Sequence, residues 1–309
     1  MMRAFTTLEL TPEQAARLKE ALGGDFLVKA TDCSNEAEAR ERFDTCEVAL
    51  GNPAAAWVAE NSSLRWLQLE SVGFGEYLAL NWSKLGGHLR ITNLAGFFAE
   101  PVAESILAGV LALLRGVDRL VLDRQRHHWD GETLRTRLKT LAGADVVLFG
   151  FGAINKRVAE LLASFGCRLT TITRESGALE SALPNADLVI AVVPDTPGTR
   201  NVFDRRRLAT LKSGAIIANF GRGSLIDEDA LADELQSGRL GGAVIDVTRE
   251  EPLPPDHRFW RAPNLILTQH TGGGSHDEID RKIERFIENL SRYRRGEKLV
   301  GLIDLSRGY

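Results

Sequence analysis

Residues 144–159 read ADVVLFGFGAINKRVA, and this stretch decides the fold. A short run of β-branched and large apolar residues ends at Gly150 and Gly152, and apolar residues then recur at helical spacing. The pattern predicts a strand, a tight turn and a helix. In a dinucleotide-binding unit, Gly150 permits the turn and Gly152 lets the backbone approach a pyrophosphate. The N–H groups of Ala153 and Ile154, which open the helix, would then face that anion.

Asn155 stands where the usual pattern has a third glycine, the one that allows the helix to pack closely on the strand. We therefore expect the helix to lie slightly farther out or to tilt. Glycine pairs at strand–helix turns are common in α/β proteins, so the motif becomes specific through the rest of the chain.

Composition limits the possible classes of protein. The chain has 309 residues, 44% of them hydrophobic, which is enough to bury two domain cores. A formal net charge of -4 gives no electrostatic reason to expect a nucleic-acid partner. The cysteines, three in number and widely spaced, indicate neither a disulfide framework nor a metal site. The N-terminus lacks the apolar core of a signal peptide and no apolar run could span a bilayer, so we expect a soluble, cytoplasmic protein.

Strands alternate with helices along the chain, which predicts α/β architecture with parallel sheets. From residue 145 to residue 268 the pattern predicts a sheet of about six strands. A long helix is predicted from Glu100 to about Leu122, and its apolar residues cover more than one stripe. We expect one side of this helix to pack on its own domain and the other on a second subunit, which predicts a homodimer.

Three loops that follow three predicted strands each carry an ionisable residue among glycines or prolines. These residues are Arg222, Glu251 and His270. An arginine can hold a carboxylate with its planar fork, and a histidine can transfer a proton near neutral pH. A carboxylate beside that histidine can fix its tautomer and favour its charged form. Together, at the carboxyl edge of one sheet, these groups are what the reduction of a 2-oxo acid requires.

With these loops in view, the chain resembles the D-isomer-specific 2-hydroxyacid dehydrogenases over nearly its full length. The stretches that carry the resemblance are 146–159, 186–189, 196–200, 217–223, 242–254 and 263–270. The resemblance implies two Rossmann-like domains. A dinucleotide-binding domain, residues 97–274, would be inserted into a flavodoxin-like substrate domain made of residues 1–96 and 275–309.

The resemblance also implies roles for single residues. Arg222 would bind the substrate carboxylate, His270 would be the acid and base, and Glu251 would support His270. Backbone N–H groups of Val72 and Gly73 would hold the same carboxylate. The further cofactor contacts that it implies are Val193, Pro194, Thr199 and Asp246.

The chain departs from the family pattern at two further places. Gln269 replaces a usual proline before the histidine, and Thr248-Arg249 replaces a usual aromatic-acidic pair. Neither change removes a catalytic group. We expect an effect on cofactor geometry more than on the type of reaction.

The choice between NADP(H) and NAD(H) depends on the end of the second strand of the dinucleotide domain. About 20 residues beyond the glycine turn, where an NAD enzyme offers Asp or Glu to the ribose, the chain has Thr173 and Arg174. These residues can hydrogen-bond a 2′-phosphate, which favours NADP(H) and leaves NAD(H) possible. A Glu175 side chain turned toward the pocket would weaken a phosphate site. The alternative is that Arg174 and Glu175 simply face solvent.

The sequence therefore predicts an oxidoreductase that transfers a hydride between NADP(H) and a small 2-oxo or D-2-hydroxy acid, with glyoxylate or hydroxypyruvate as the preferred substrate. Two alternatives stay open. One is a dehydrogenase of the formate or phosphite type, against which Glu251 argues, because the formate type pairs its histidine with glutamine. The other is a dinucleotide-sensing protein on the same fold, which would control the binding of a partner.

Overall fold

The computed structural model describes residues 2–24, 26–85, 88–174 and 178–303, and only the backbone of Ser83 and Lys84. The chain divides into two compact units. The first unit is Met1–Ala95 with Ser275–Tyr309, and the second is Gly96–Gly274.

The first unit contains a five-stranded parallel sheet in the order β2-β1-β3-β4-β5. Its strands are β1 (Ala4–Thr6), β2 (Leu27–Lys29), β3 (Val48–Leu50), β4 (Trp66–Gln68) and β5 (Arg90–Thr92). Its first helices are α1 (Pro12–Leu22), α2 (Glu36–Asp44), α3 (Ala55–Glu60) and α4 (Trp82–Leu85). This strand order is that of flavodoxin-like folds, so the expected architecture of this unit is confirmed.

The start and end of α1 follow directly from the sequence. The Thr11 hydroxyl accepts the Gln14 N–H and the Gln14 side chain accepts the Thr11 N–H, which forms a capping box. Gly23, with φ 77°, ends the helix in the left-handed conformation. Strand β5 was not predicted, because a three-residue segment that begins with an exposed Arg90 shows no alternation of its own.

The second unit contains the predicted six-stranded sheet, in the order β11-β10-β9-β8-β6-β7, and all of its pairings are parallel. Its strands are β6 (Asp145–Phe149), β7 (Arg168–Ile172), β8 (Leu188–Ala191), β9 (Ile216–Asn219), β10 (Gly242–Ile245) and β11 (Leu265–Leu267). Its helices are α5 (Ala99–Arg115), α6 (Val117–Gln125), α7 (Gly131–Arg135), α8 (Ala153–Ala163), α9 (Leu179–Ala182), α10 (Arg205–Thr210) and α11 (Glu228–Gln236). Strand order reverses between β6 and β8, and ligands of such sheets bind at the carboxyl ends beside this point.

The prediction of one helix from Glu100 to about Leu122 was wrong. Gly116 adopts φ 64° and ends α5, and α6 begins at the next residue. A left-handed residue cannot continue a right-handed helix, so the chain turns there. The buried residues of α5, among them Ile106 and Val110, face the core of their own unit.

The last helix, α12 (Glu278–Arg294), belongs to the first unit. Phe286 stacks on the fully buried ring of Trp66, with ring centroids 4.8 Å apart. Beyond the helix, Leu302 forms an antiparallel bridge with Thr92 of β5. The described residues that follow the helix therefore contact β5 of the first unit. None of the described helices combines the length and the apolar content needed to cross a membrane.

Two glycines shape the turn that follows β6. Gly150 has φ 85°, and a Cβ atom added there would overlap the carbonyl oxygen of Val192. Gly152 has φ -79°, and an added Cβ atom would meet nothing within 4 Å. The first glycine is thus required by the fold, whereas the second leaves an open space in front of α8.

This difference gives a prediction for stability. We expect Gly150→Ala to lower the free energy of unfolding by more than about 2 kcal/mol, because it adds left-handed strain to a backbone overlap. Gly152→Ala is the matched control and should change stability by less than about 0.5 kcal/mol. Urea unfolding of both variants measures the two values. Equal losses in the two variants would contradict this reading of the turn.

Candidate active site

The glycine turn forms an open cradle at the carboxyl end of β6. Helix α8 begins at Ala153, and the N–H groups of the first helical turn, which include that of Ile154, have no intrahelical acceptor. With no side chain at Gly152, these donors face open space. A helix N-terminus of this kind binds anions, so the residues present fit the pyrophosphate of a dinucleotide.

Asn155 ties α8 to the strand ends beneath the turn. Its side chain is fully buried, and Nδ2 donates to the carbonyl oxygens of Gly150 at 2.6 Å, Phe149 at 3.3 Å and Ile190 at 3.5 Å. The side chain therefore fills the space between helix and sheet that a third glycine would leave. Its Oδ1 atom is buried and has no hydrogen-bond partner among the described residues.

The loops after β8, β9 and β10 touch each other backbone to backbone. A Cβ atom on Gly221 would lie 2.7 Å from the Val193 carbonyl oxygen, and one on Gly223 would overlap the peptide that follows Thr248. Val193 also lies against Gly150. Small residues thus bring the glycine turn, the Arg222 loop and the Glu251 loop together at one edge of the sheet.

Asn219, at the end of β9, fixes the backbone that presents Arg222. Its Oδ1 accepts the Gly221 N–H at 3.1 Å, and its Nδ2 donates to the Arg222 carbonyl at 3.0 Å. The Arg222 side chain is exposed, and its Nη1 donates to the Gly221 carbonyl at 2.7 Å. The guanidinium is therefore anchored at one nitrogen and open to solvent at this edge.

Asp195 lies in the loop after β8 and belongs to the same edge. Arg200 binds this carboxylate through two hydrogen bonds of 2.9 and 3.1 Å, and the Ser224 hydroxyl donates to it at 2.9 Å. The Arg200 guanidinium, with smaller contributions from Ser224 and Arg222, holds the pKa of Asp195 below its ordinary value. Asp195 is thus an anion whose charge is compensated locally.

Glu251 and His270 lie in direct contact. Nδ1 of His270 lies 2.7 Å from Oε2 of Glu251, and Oε1 of Glu251 accepts the Thr248 N–H at 2.9 Å. Because an ionised carboxylate can only accept, the contact assigns a proton to Nδ1. Nε2 is then the nitrogen that can give or take a proton on the opposite side of the ring.

Asp246 holds the loop that carries His270. Its side chain is buried, and Oδ1 accepts the Thr268 hydroxyl at 2.5 Å and the Gly272 N–H at 3.0 Å. Its carbonyl oxygen accepts the His270 N–H at 2.6 Å. In this structure, Asp246 therefore orients the loop that carries His270.

The backbone of that loop is unusual. Gln269 has φ 51° and His270 has φ 58°, so two consecutive residues other than glycine are left-handed. The proline ring fixes φ near -65°, so the proline of the family pattern could not adopt the conformation of Gln269. The departure at Gln269 therefore accompanies a different local backbone.

A cavity of about 490 Å³ opens beside the pair of Glu251 and His270. Its polar wall includes Asp246 and Gln269, and its apolar wall includes Leu253. The remaining lining residues are Ile245, Thr248, Pro252, Trp260 and Leu267. A volume of this size accommodates a small organic molecule.

The other predicted contacts lie at the same sheet edge but differ in surroundings. Thr199 turns inward, and its hydroxyl donates to the Pro194 carbonyl at 2.6 Å and accepts the Thr196 N–H at 2.9 Å, so it shapes its own loop. Thr173 and Arg174 are exposed directly after β7, the neighbour of β6. Glu175 lies outside the described residues.

Val72 and Gly73 follow β4 in the first unit, and both are exposed. The Asn93 amide donates to the Val72 carbonyl at 2.8 Å, and the Ser71 hydroxyl donates to the Gly73 carbonyl at 2.7 Å. The carbonyl groups of this turn are therefore held by side chains of its own unit.

Sequence reasoning did not identify Asn219 as a residue that shapes the site, nor the structural part played by Asp246. The available signal was position, since both residues end a buried strand where backbone groups lose their ladder partners. Position was not sufficient for Asp246, because the groups that donate to it belong to the segment after β11.

Comparisons with known proteins agree with the geometry. The family model described as D-isomer specific 2-hydroxyacid dehydrogenase, NAD binding domain, matches residues 107–272. A glyoxylate reductase of Aeropyrum pernix is 30% identical in an alignment of 326 positions, which covers 98% of this chain and 96% of that protein. Formate dehydrogenase 2 of Oryza sativa is 31% identical in an alignment of 302 positions, which covers 90% of this chain and 78% of that protein.

A solved structure is similar over the whole chain. It is a D-isomer specific 2-hydroxyacid dehydrogenase family protein from Aeromonas salmonicida, with a TM-score of 0.82 and 26% identity, and the match covers 99% of this chain and 100% of that one. The chain therefore belongs to the D-isomer-specific 2-hydroxyacid dehydrogenases, which are NAD(P)-dependent oxidoreductases.

Proposed function

We propose that this protein reduces small 2-oxo acids to D-2-hydroxy acids, with glyoxylate or hydroxypyruvate as the preferred substrate. The observation that carries the proposal is the 2.7 Å contact between Glu251 and His270, at the sheet edge that also presents Arg222. The related glyoxylate reductase of Aeropyrum pernix supports this choice of substrate.

In this proposal the second unit, residues 97–274 by the predicted boundaries, binds the dinucleotide, and the first unit binds the substrate. Gly150, Gly152, Ala153 and Ile154 receive the pyrophosphate, and Val193, Pro194, Thr199 and Asp246 line the rest of the cofactor site. Arg222 holds the substrate carboxylate with its fork of donors, and the N–H groups of Val72 and Gly73 bind the same group. When bound, the reduced dinucleotide supplies the hydride that is added to C2 of the oxo acid.

His270 supplies the proton that the new alkoxide oxygen takes up. Glu251 accepts a hydrogen bond from the Nδ1–H, which stays on the ring, so the imidazolium presents its Nε2 proton to the substrate and becomes neutral when that proton leaves. In the oxidation of a hydroxy acid, the neutral Nε2 takes the proton back. The formate type pairs its histidine with glutamine, a neutral amide. A carboxylate at Glu251 instead stabilises the charged form of the ring, which favours reduction of a 2-oxo acid over oxidation of formate.

We predict that Arg222, Glu251 and His270 act as one unit. His270→Ala should lower kcat at least about 100-fold, because proton transfer to the oxygen is lost. Arg222→Ala should mainly raise KM, with a smaller fall in kcat. Glu251→Gln should lower kcat, because the ring loses the carboxylate that accepts its Nδ1–H and orients it.

A steady-state assay over a panel of 2-oxo acids with both reduced dinucleotides measures these effects. Near-normal turnover by His270→Ala would contradict the mechanism. A wild-type protein that binds a dinucleotide tightly but turns over none of the acids would instead favour the dinucleotide-sensing alternative.

NADP(H) is the cofactor that we propose. Thr173 and Arg174 lie after β7, where a carboxylate would repel the 2′-phosphate. The threonine hydroxyl and the guanidinium can instead bind that phosphate through hydrogen bonds assisted by charge.

We predict that kcat/KM with NADPH exceeds that with NADH by at least about tenfold, equivalent to roughly 1.4 kcal/mol. Arg174→Ala should lower the NADPH value and leave the NADH value little changed. Steady-state kinetics with each cofactor makes the comparison. Equal losses for both cofactors, or an NADH preference in the wild type, would refute this assignment.

A homodimer completes the proposal, with α5 and α6 at the interface. Although the helix breaks at Gly116, α6 still presents apolar side chains to solvent, since Val117, Leu120, Val121 and Leu122 are each nearly half exposed. Adjacent apolar surface of this kind marks interfaces, and two-fold dimers are the commonest closed assembly.

We therefore expect light scattering at micromolar concentration to give the mass of a dimer. The double variant Leu120→Glu with Val121→Glu should shift that mass toward the monomer, because both charges would be buried in the interface. A monomeric wild type would exclude this interface.

A further inference from the structure

Arg249 links the loop that carries Glu251 to two neighbouring loops. Its Nη2 donates to Oδ1 of Asn201 at 3.0 Å and to the carbonyl oxygen of Ile226 at 2.9 Å. Asn201 belongs to the loop after β8, and Ile226 follows the Arg222 loop after β9. One guanidinium therefore joins the loops that follow three adjacent strands.

The Glu228 side chain binds the backbone N–H of Arg249. Oε1 of Glu228 accepts the Arg249 N–H at 2.8 Å, and Oε2 lies 3.3 Å from Nε2 of His257. Because Nδ1 of His257 accepts the Phe259 N–H at 3.2 Å, Nε2 carries a proton and can donate it to Glu228. Both oxygens of Glu228 are thus engaged, and its side chain is only 12% exposed.

The two acceptors of the Arg249 side chain are themselves fixed. The Asn201 N–H donates to the Ser224 carbonyl at 2.8 Å, and Phe203 and Ile226 form a parallel bridge. The guanidinium is therefore attached to a framework that also contains the Arg222 loop.

Arg249 lies inside a tight turn that ends at Glu251. The Thr248 N–H donates to Oε1 of Glu251, and the Thr248 hydroxyl donates to the Glu250 carbonyl at 2.8 Å. A displacement of Arg249 would move Thr248, which holds one oxygen of Glu251. The other oxygen of Glu251 is the one that meets His270.

We propose that Arg249 and Glu228 are positioning residues, which together we call the Arg249 clamp. The clamp holds Glu251 at the distance and orientation that keep the proton of His270 on Nδ1. It also holds the Glu251 loop against the Arg222 loop. Glu251 and the carboxylate-binding Arg222 therefore keep their positions relative to each other. Neither residue lines the cavity beside His270, and the inference rests on the proposed function for its catalytic consequence.

The test compares Arg249→Met with Arg258→Met. Arg258 is an exposed arginine that pairs with Asp229 and Asp233 of α11, so its replacement removes surface ion pairs near the same helix without touching the loop. With glyoxylate and NADPH, Arg249→Met should lower kcat at least about tenfold and change the KM for glyoxylate less than about threefold. The Kd for NADPH, from its fluorescence, should be unchanged, and Arg258→Met should behave as the wild type.

Glu228 provides a second and independent series. Glu228→Ala should also lower kcat about tenfold, whereas Glu228→Gln, whose amide oxygen can still accept the Arg249 N–H, should recover a large part of that loss. Asp229→Ala, on the next residue of the same helix turn, is the matched control and should leave kcat unchanged.

A measurement that does not depend on turnover separates this inference from the proposed function. In proton NMR, the His270 Nδ1–H should give a low-field resonance, identified by its loss in His270→Ala. Arg249→Met should weaken or shift that resonance, and Arg258→Met should not. An unchanged resonance together with unchanged kcat would overturn the clamp. A wild type inactive on every 2-oxo acid, but with a resonance sensitive to Arg249, would overturn the proposed function alone.

Discussion

The site depends on backbone segments that approach one another more closely than a Cβ atom allows. Gly150, Gly221 and Gly223 lie against the loops that follow neighbouring strands, and a side chain at any of them would meet main-chain atoms. Parallel strands lie about 4.8 Å apart, so their loops must either diverge or interlock. Glycine permits interlocking here, and it keeps the glycine turn, the arginine and the acid–base pair at one edge of the sheet.

Buried polar side chains then replace the hydrogen bonds that the sheet can no longer supply beyond its strands. Asn155, Asn219 and Asp246 each lie at or beneath a strand end, and each binds main-chain groups of the loops above. A buried amide or carboxylate is costly unless it is paired, so these contacts favour a single loop conformation over its alternatives. These hydrogen bonds tie the loops to the sheet, although the loops lie at the surface.

The sequence allowed prediction of features encoded within a few consecutive residues. The glycine turn and the position of each ionisable residue after its strand are of this kind. Contacts between distant segments were not predictable, because nothing near Arg249 indicates that Asn201 and Ile226 will accept its hydrogen bonds. The break at Gly116 is intermediate. The glycine is visible in the sequence, but a continuous apolar pattern on both sides of it favoured one helix.

Gln269 and His270 both have left-handed backbone conformations, and this limits which substitutions the loop can accept. Proline at position 269 would require φ to change by more than about 100°, which would carry His270 away from the carboxylate it contacts. Replacement by proline therefore cannot act as an isolated change in this chain. The backbone contacts of Asp246 and the conformation of position 270 would have to change with it, so residues 246 and 268–272 are expected to vary as a set among descendants of this sequence.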